Sequence, residues 1–210
     1  MIDLYTWNTP NGRKVSILLE ELGIDYTVHP VDITHGEQKK AAFVAISPNG
    51  RIPAIVDRSA GLTLMESGAI MVYLADQQER FLAPRGEQRW RTLEWLMWQM
   101  GGLGPMAGQA HHFLHFHPGR SDYASRRYGF ETHRLYGVLE GRLAQREYLA
   151  GDYSIADMAC WPWVSRFGWQ QIDLDEFPAV ARWYRDIAAR PAVQRGYRVP
   201  RGGEVPMPGA

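Results

Sequence analysis

Cysteine is almost absent from this sequence: Cys160 stands alone, which excludes an internal disulfide, a CxxC redox pair and a thiolate zinc site. No charge of one sign is in excess, since 23 Lys and Arg face 23 Asp and Glu in 210 residues. Such a chain has no global field for holding nucleic acid or an anionic membrane, and neither partner is expected. The opening MIDLYTW lacks a basic segment followed by an apolar run, so no signal peptide is read and the expected compartment is the cytoplasm. Internal repeats and low-complexity tracts are also missing. From Trp95 to Gly119 there is no Asp, Glu, Lys or Arg. Length alone would suggest a membrane span, but Gln99, Gln109, four histidines and the break at Gly101 to Pro105 argue against one. A buried or subunit-facing wall fits better.

What is present begins with a β-α-β pattern. Ile2 to Tyr5 alternates as a short strand, a turn-rich segment follows from Thr6 to Gly12, and Val15, Ile17, Leu18, Leu19 and Leu22 mark a helix that stops at Gly23. Tyr26 to Asp32 reads as a second strand, and Gln38 to Ile46 as a short helix after a loop. Ala54 to Asp57 and Leu62 to Met65 form a hairpin, with a further helix behind it. Strands separated by a helix are most easily parallel and hairpin strands are antiparallel, so the sheet should be mixed and four-stranded.

The stretch from Ser47 to Leu74 holds three devices suited to a peptide. Ile52-Pro53 follows a Gly-containing turn, where a cis bond would bend the strand entry and leave the Ile52 N–H and C=O pointing outward. Ser67 precedes an uncharged helical run and is placed to cap it, and the free N–H groups of a helix start favour an anion. Glu66 can hold an ammonium group. Extended main chain, a carboxylate and an ammonium together describe a zwitterionic peptide. Taken singly, each device also reads as ordinary structure.

From Glu87 onward the pattern is helical. Trp90, Leu93, Met97 and Met100 mark one helix face, and Tyr128, Leu135, Val138, Leu139 and Leu143 another. Ser154 and Asp157 have capping-box spacing, which makes Asp157 structural. A further helix runs from Pro178 to Arg190, ahead of Pro191. The expected organisation is an α/β domain over 1–78, a linker over 79–86, an all-helical domain over 87–194 and a mobile tail over 195–210.

Ser47 to Ala54 (SPNGRIPA), Glu66 to Ile70 (ESGAI) and Tyr153 to Asp157 (YSIAD) resemble the cytosolic glutathione transferases over nearly the whole chain except the tail. Thr9-Pro10-Asn11-Gly12 with Lys14, Trp98 to Met106, and His111-His112-Phe113 are similar to the Nu class and the related bacterial disulfide-bond oxidoreductases. The resemblance implies a thioredoxin-like domain on a helical bundle, a homodimer, and glutathione as co-substrate, one or two per subunit or as the disulfide. It implies that Pro53 is the cis-proline, that the Ile52 main chain pairs the cysteinyl part, and that Glu66 and Ser67 hold the γ-glutamyl end. Gln38 would reach the glycyl end and Arg127 the site in the dimer, with neighbouring Arg126 the alternative.

Thiol chemistry requires thiolate, and a free thiol is mostly protonated at neutral pH. A hydroxyl donor and the positive end of the helix starting at Asn11 would both stabilise a sulfur anion, so Thr9 and Asn11 are the candidate activating residues. The competing reading is that Thr9 to Gly12 only starts a helix. Tyr5 is a rival hydroxyl, but it sits inside the first strand. Cys160, among Ala159, Trp161 and Trp163, reads as a small core residue. His111, His112, His115 and His117 lack HExxH spacing and an acidic companion, so no metal is expected; they read as lining a second-substrate cleft or packing between subunits, with Trp95, Trp98, Phe113 and Phe116 making that cleft aromatic. Three functions follow: a glutathione-dependent disulfide reductase acting on a small-molecule disulfide without a protein cysteine, a transferase conjugating glutathione to hydrophobic electrophiles, or a non-catalytic glutathione-binding regulator.

Overall fold

The structure, a computed structural model, describes residues 1–208. The chain divides into two compact units, one formed by Met1–Pro84 with Ala189–Val205 and the other built on Arg85–Ala188.

In the first unit β1 (Ile2–Thr6), β2 (Tyr26–Pro30), β3 (Ala54–Asp57) and β4 (Leu62–Met65) form the expected mixed sheet, in the order β2-β1-β3-β4. β1 pairs parallel with β2 and antiparallel with β3, which pairs antiparallel with β4. The first helix, α1 (Pro10–Leu22), starts at the Thr9 cap and ends on Gly23, whose φ of 71° suits a residue without Cβ. It buries Val15, Ile17, Leu18 and Leu19 and packs on α3 (Ser67–Gln78). The loop expected before Gln38 holds a 3₁₀ turn at Ile33–His35, and the helix expected over Gln38 to Ile46 is broken into a 3₁₀ turn at Glu37–Lys39 and α2 (Ala41–Val44). Phe43 alone of α2 is buried, and so short an apolar stripe cannot anchor a longer helix.

The C-terminal segment departs from the expected domain plan. Ala189–Val205 belong to the first unit rather than to the helical one, and α9 (Pro191–Tyr197) runs antiparallel along α1. Arg190 makes a two-pronged ion pair with Glu21 (2.6 and 2.9 Å), and Arg195 pairs with Glu20 at 2.7 Å. The Ser16 hydroxyl donates to the Gly196 carbonyl at 2.7 Å, and Arg13 Nε donates to the Tyr197 carbonyl at 3.1 Å. A Cβ on Gly196 would lie 2.6 Å from Ile17 Cα, so this glycine is what lets the two backbones touch. The last two residues of the expected tail lie outside the described residues.

The second unit consists of α4 (Glu87–Trp98), α5 (Gly104–Ala110), α6 (Asp122–Leu143), α7 (Ile155–Val164) and α8 (Pro178–Ala188), with π-helical stretches at Gln99–Leu103 and His111–Phe116. The glycines of the 101–108 region have a local use: a Cβ on Gly104 or Gly108 would sit 3.4 Å from the Trp163 ring. Ser154 and Asp157 form the expected capping box, and the fully buried Asp157 carboxylate also accepts from the Leu149 N–H at 3.0 Å and the Trp183 indole at 2.9 Å. Burial pushes Asp157 up to about 6 despite these donors. On α4 the apolar face read from the sequence is not the core face of this unit. Trp90 is 68% and Met97 56% exposed, while Thr92 and Leu96 are buried. Among the described residues no helix is long and apolar enough to cross a membrane.

Candidate functional site

One end of the sheet gathers the candidate residues. Tyr5, Ala54 and Met65 form a single row across β1, β3 and β4, so the turn leading to Thr9, the Ile52-Pro53 step and Glu66-Ser67 all leave the sheet at the same edge. β2 also ends there, its Pro30 opposite Thr6, and its continuation carries Gln38. This convergence follows from register and could not be read from spacing.

At the start of α1, the Thr9 hydroxyl oxygen accepts from the Gly12 N–H at 3.1 Å, and the Thr9 N–H donates to the Trp7 carbonyl at 2.7 Å. Thr9 is therefore the N-cap, as the competing reading held, yet a hydroxyl that accepts from the helix still has its own proton to donate. Asn11 is the second residue of α1, within the first turn, where the helix field is positive. Tyr5 is directed elsewhere. Its ring stacks on His29 at 4.6 Å and packs against the Val31, Phe43 and Ala54 cluster, opposite in strand alternation to Leu4 and Thr6.

Ile52-Pro53 is cis. The preceding turn is braced by the Ser47 hydroxyl, which donates to the Arg51 carbonyl at 2.8 Å. Among the described residues, the Ile52 N–H and C=O find no protein partner, while its side chain packs against the Val31, Phe43 and Ala54 cluster. Gln38 lies beside this turn, its carbonyl 3.3 Å from where a Gly50 Cβ would stand, and its buried Oε1 has no protein partner. An orphaned buried acceptor next to open main chain leaves hydrogen-bonding capacity that a polar ligand could use.

The capping assignment at α3 needs correction: Glu66, not Ser67, occupies the cap position, and it makes no side-chain cap bond. Glu66 has φ 71°, an uncommon conformation for a residue with Cβ, and such strain gathers at binding sites. Its carboxylate is left exposed. Ser67 is the first helical residue, and its hydroxyl receives the Lys14 ammonium at 3.4 Å. Lys14 is 1% exposed. The Lys14 ammonium and the helix N-terminus place positive charge and N–H donors at the same corner. Lys14 figured in the sequence only as part of a motif; no spacing in one dimension brings it to Ser67.

The sequence matches the glutathione S-transferase N-terminal domain over residues 9–77 and the C-terminal domain over 105–191. The chain belongs to the glutathione S-transferase family. It is 51% identical over 198 residues to the disulfide-bond oxidoreductase YfcG of Escherichia coli (strain K12), covering 91% of this chain and 92% of that one. A glutathione transferase from Pseudomonas putida, solved with one glutathione disulfide per subunit, superposes with a TM-score of 0.90 at 42% identity, covering 95% of this chain and 91% of that one. One from Burkholderia graminis, solved with two glutathione molecules per subunit, gives a TM-score of 0.91 at 42% identity, with 96% and 89% covered.

In the helical unit of this glutathione S-transferase, Arg126 and Arg127 both line a groove of about 730 Å³ with Tyr123, Phe130 and Glu131. The histidines separate by environment. His111 is buried, its ring stacked on Trp163, and Gln170 Nε2 lies 3.0 Å from His111 Nε2 while also donating to the Trp163 carbonyl. Burial and the nearby Arg166 charge hold His111 down at about 4. His115 stacks on Trp169 at 4.2 Å, and His112 lies against Phe113 and His117. Among the described residues no group of His, Cys, Asp and Glu is arranged to hold a metal ion. Cys160 is fully buried in α7.

Proposed function

We propose that this chain is a glutathione-dependent disulfide reductase in which the reacting sulfur belongs to glutathione. The observation that carries this reading is the pairing of a capped helix start, Thr9 and Asn11, with a sole cysteine that is 0% exposed and belongs to the other unit. Lys14, Ser67 and the α3 N-terminus take the γ-glutamyl carboxylate, Glu66 its ammonium, the Ile52 main chain beside Pro53 the cysteinyl segment, and Gln38 the glycyl end. Sulfur then lies at the start of α1, where the Thr9 hydroxyl and the Asn11 amide favour thiolate. That thiolate attacks one sulfur of a disulfide, forming a mixed disulfide and expelling the other half as thiolate. A second glutathione attacks the glutathionyl sulfur, so two glutathiones become glutathione disulfide and the substrate leaves as two thiols. The two glutathiones or one glutathione disulfide held by the solved relatives support a site for two glutathionyl groups.

The exposed Trp90, Met97, Tyr123 and Phe130 of the helical unit support a homodimer, in which Arg127 or Arg126 would reach the partner's site; sedimentation as a monomer would oppose it. Cytoplasmic residence is the reading that fits a sequence with a single cysteine. The deciding experiment is turnover of a small disulfide by glutathione. The protein should accelerate it, and Cys160→Ala should turn over as the parent does. No acceleration, or loss of activity in Cys160→Ala, overturns the proposal. Conjugation of hydrophobic electrophiles is the second reading, and activity on an aryl halide well above that on disulfides would select it.

A further inference from the structure

The contacts between α9 and α1 form an ordered ladder. Arg190 meets Glu21, Arg195 meets Glu20, Gly196 meets Ser16 and Ile17, and Tyr197 meets Arg13, whose guanidinium also lies 3.6 Å from the Tyr197 ring centroid. As the C-terminal chain advances, its partners step back toward the N-terminus of α1. The next rung lies beyond the helix: after Pro200, the Arg201 guanidinium stands 4.7 Å from the Trp7 ring centroid.

Trp7 is the residue whose carbonyl receives the Thr9 N–H at 2.7 Å. The same carbonyl would be 2.3 Å from a Cβ on Gly12, so it is wedged between Thr9 and the first turn of α1. The side chains on either side of Trp7 add little to the turn, because the buried Thr6 Oγ1 and Asn8 Oδ1 make no hydrogen bonds. Main-chain bonds hold the two ends of the turn, Val31 N–H to the Thr6 carbonyl at 2.9 Å and Arg13 N–H to the Thr9 carbonyl at 3.0 Å; Trp7 between them is held from inside by its carbonyl's bond to the Thr9 N–H and from outside by the guanidinium near its indole. We propose that Arg201 is a positioning residue for the reaction: by pinning Trp7 it fixes the turn that aims the Thr9 hydroxyl. This rests on the assignment of Thr9 as thiol donor made above. The ammonium of a lysine would serve less well, since a planar guanidinium stacks on an indole and a hydrated ammonium does so poorly.

The test uses the full chain with Arg201→Ala, Arg201→Lys, Trp7→Leu and the Arg201→Ala/Trp7→Leu pair. A cation beside a partly exposed ring corresponds to a change of about two- to fivefold. Arg201→Ala should lower kcat for disulfide reduction by that factor with KM for glutathione little changed, and should lower the thiolate absorbance of bound glutathione at neutral pH. Arg201→Lys should recover part of both. The pair should lose no more than Trp7→Leu alone, because the two side chains act as one unit. The melting midpoint of Arg201→Ala should stay near the parent's, as every α9 rung remains. An Arg201→Ala protein with unaltered kcat and bound-thiolate absorbance, or fully additive losses in the pair, overturns the proposal. If the parent protein turns over no disulfide, the reductase reading falls instead, and bound-thiolate absorbance in parent and Arg201→Ala still decides the role of Arg201.

Discussion

Thr9 is placed to do two jobs, and substitution can separate them. Its oxygen accepts the Gly12 N–H at 3.1 Å, and removing such a cap costs about 1 kcal/mol. In a chain of this size that lowers the melting midpoint by roughly 2–4 °C. Its proton is the group proposed to reach a bound sulfur anion, and a hydrogen bond to a charged partner is worth about 1.5–3 kcal/mol. At about 1.4 kcal/mol per unit, losing it should raise the pKa of the bound thiol by roughly one to two units. Nucleophilicity rises with basicity with a coefficient of about 0.4–0.5, so the fall in turnover at neutral pH should be smaller than the loss of thiolate, roughly three- to tenfold. Thr9→Ala should show both effects and Thr9→Ser neither. Thr9→Asp keeps an acceptor at the helix start but has no proton to give, so it should hold the melting midpoint while raising the thiol pKa. The assay is a pH titration of ultraviolet thiolate absorbance with glutathione bound, alongside thermal melts. If Thr9→Ala melts lower but its bound thiol titrates as in the parent, Thr9 is a helix cap and nothing more, and the assignment of the sulfur site to the start of α1 is wrong.

Gly196→Ala would place a Cβ 2.6 Å from Ile17 Cα and 2.7 Å from Ile17 N, both backbone atoms that cannot rotate away. Overpacking of this kind costs about 1–3 kcal/mol, so the variant should melt lower and its C-terminal segment should be cleaved faster by protease; an unchanged melt would mean α9 does not dock as described. The pH dependence of stability should show two opposed contributions. Asp157, raised to about 6 from 3.8, binds its proton more tightly folded than unfolded, so its contribution is full below the unfolded value and lost as pH rises through about 6. His111, held down at about 4 against 6.5, favours the fold above the unfolded value, and that contribution is lost as pH falls from 6.5 toward about 4. Each shift amounts to about 3 kcal/mol at 1.4 kcal/mol per unit, so the two should largely cancel in the parent. Asp157→Asn should uncover the histidine slope, with urea stability declining as pH falls; parallel profiles for parent and variant would contradict this.

Local chemistry was legible wherever neighbours in sequence are neighbours in space. The hairpin, the Ser154–Asp157 capping box and the mixed strand pattern are of this kind, as was the reading of Thr9 as a helix start. Misreadings arose where a local rule met a tertiary demand. Ser67 looks like a cap because serine commonly is one, but the chain turns at Glu66 through a positive φ, which places the serine on the helix and against Lys14. Trp90 and Met97 have helical spacing, which identifies a face but not what covers it. The stretch from Arg195 on, rich in Gly, Pro and Arg, reads as a mobile tail because the partners of Arg195 and Tyr197 are more than 160 residues away in the chain.

The sequence by itself determined the composition limits, the alternation of strands and helices, the presence of a single cysteine, and which short motifs could bind a peptide. These are properties of single residues and of periods of two and 3.6, and they are complete before the chain folds. Only the tertiary structure decided that four chain segments leave the sheet at one edge, that a buried ammonium lies under the α3 start, and that the C-terminal segment reaches Trp7. Each depends on register or on contact between distant segments, where a one-residue slip would send a side chain to the opposite face.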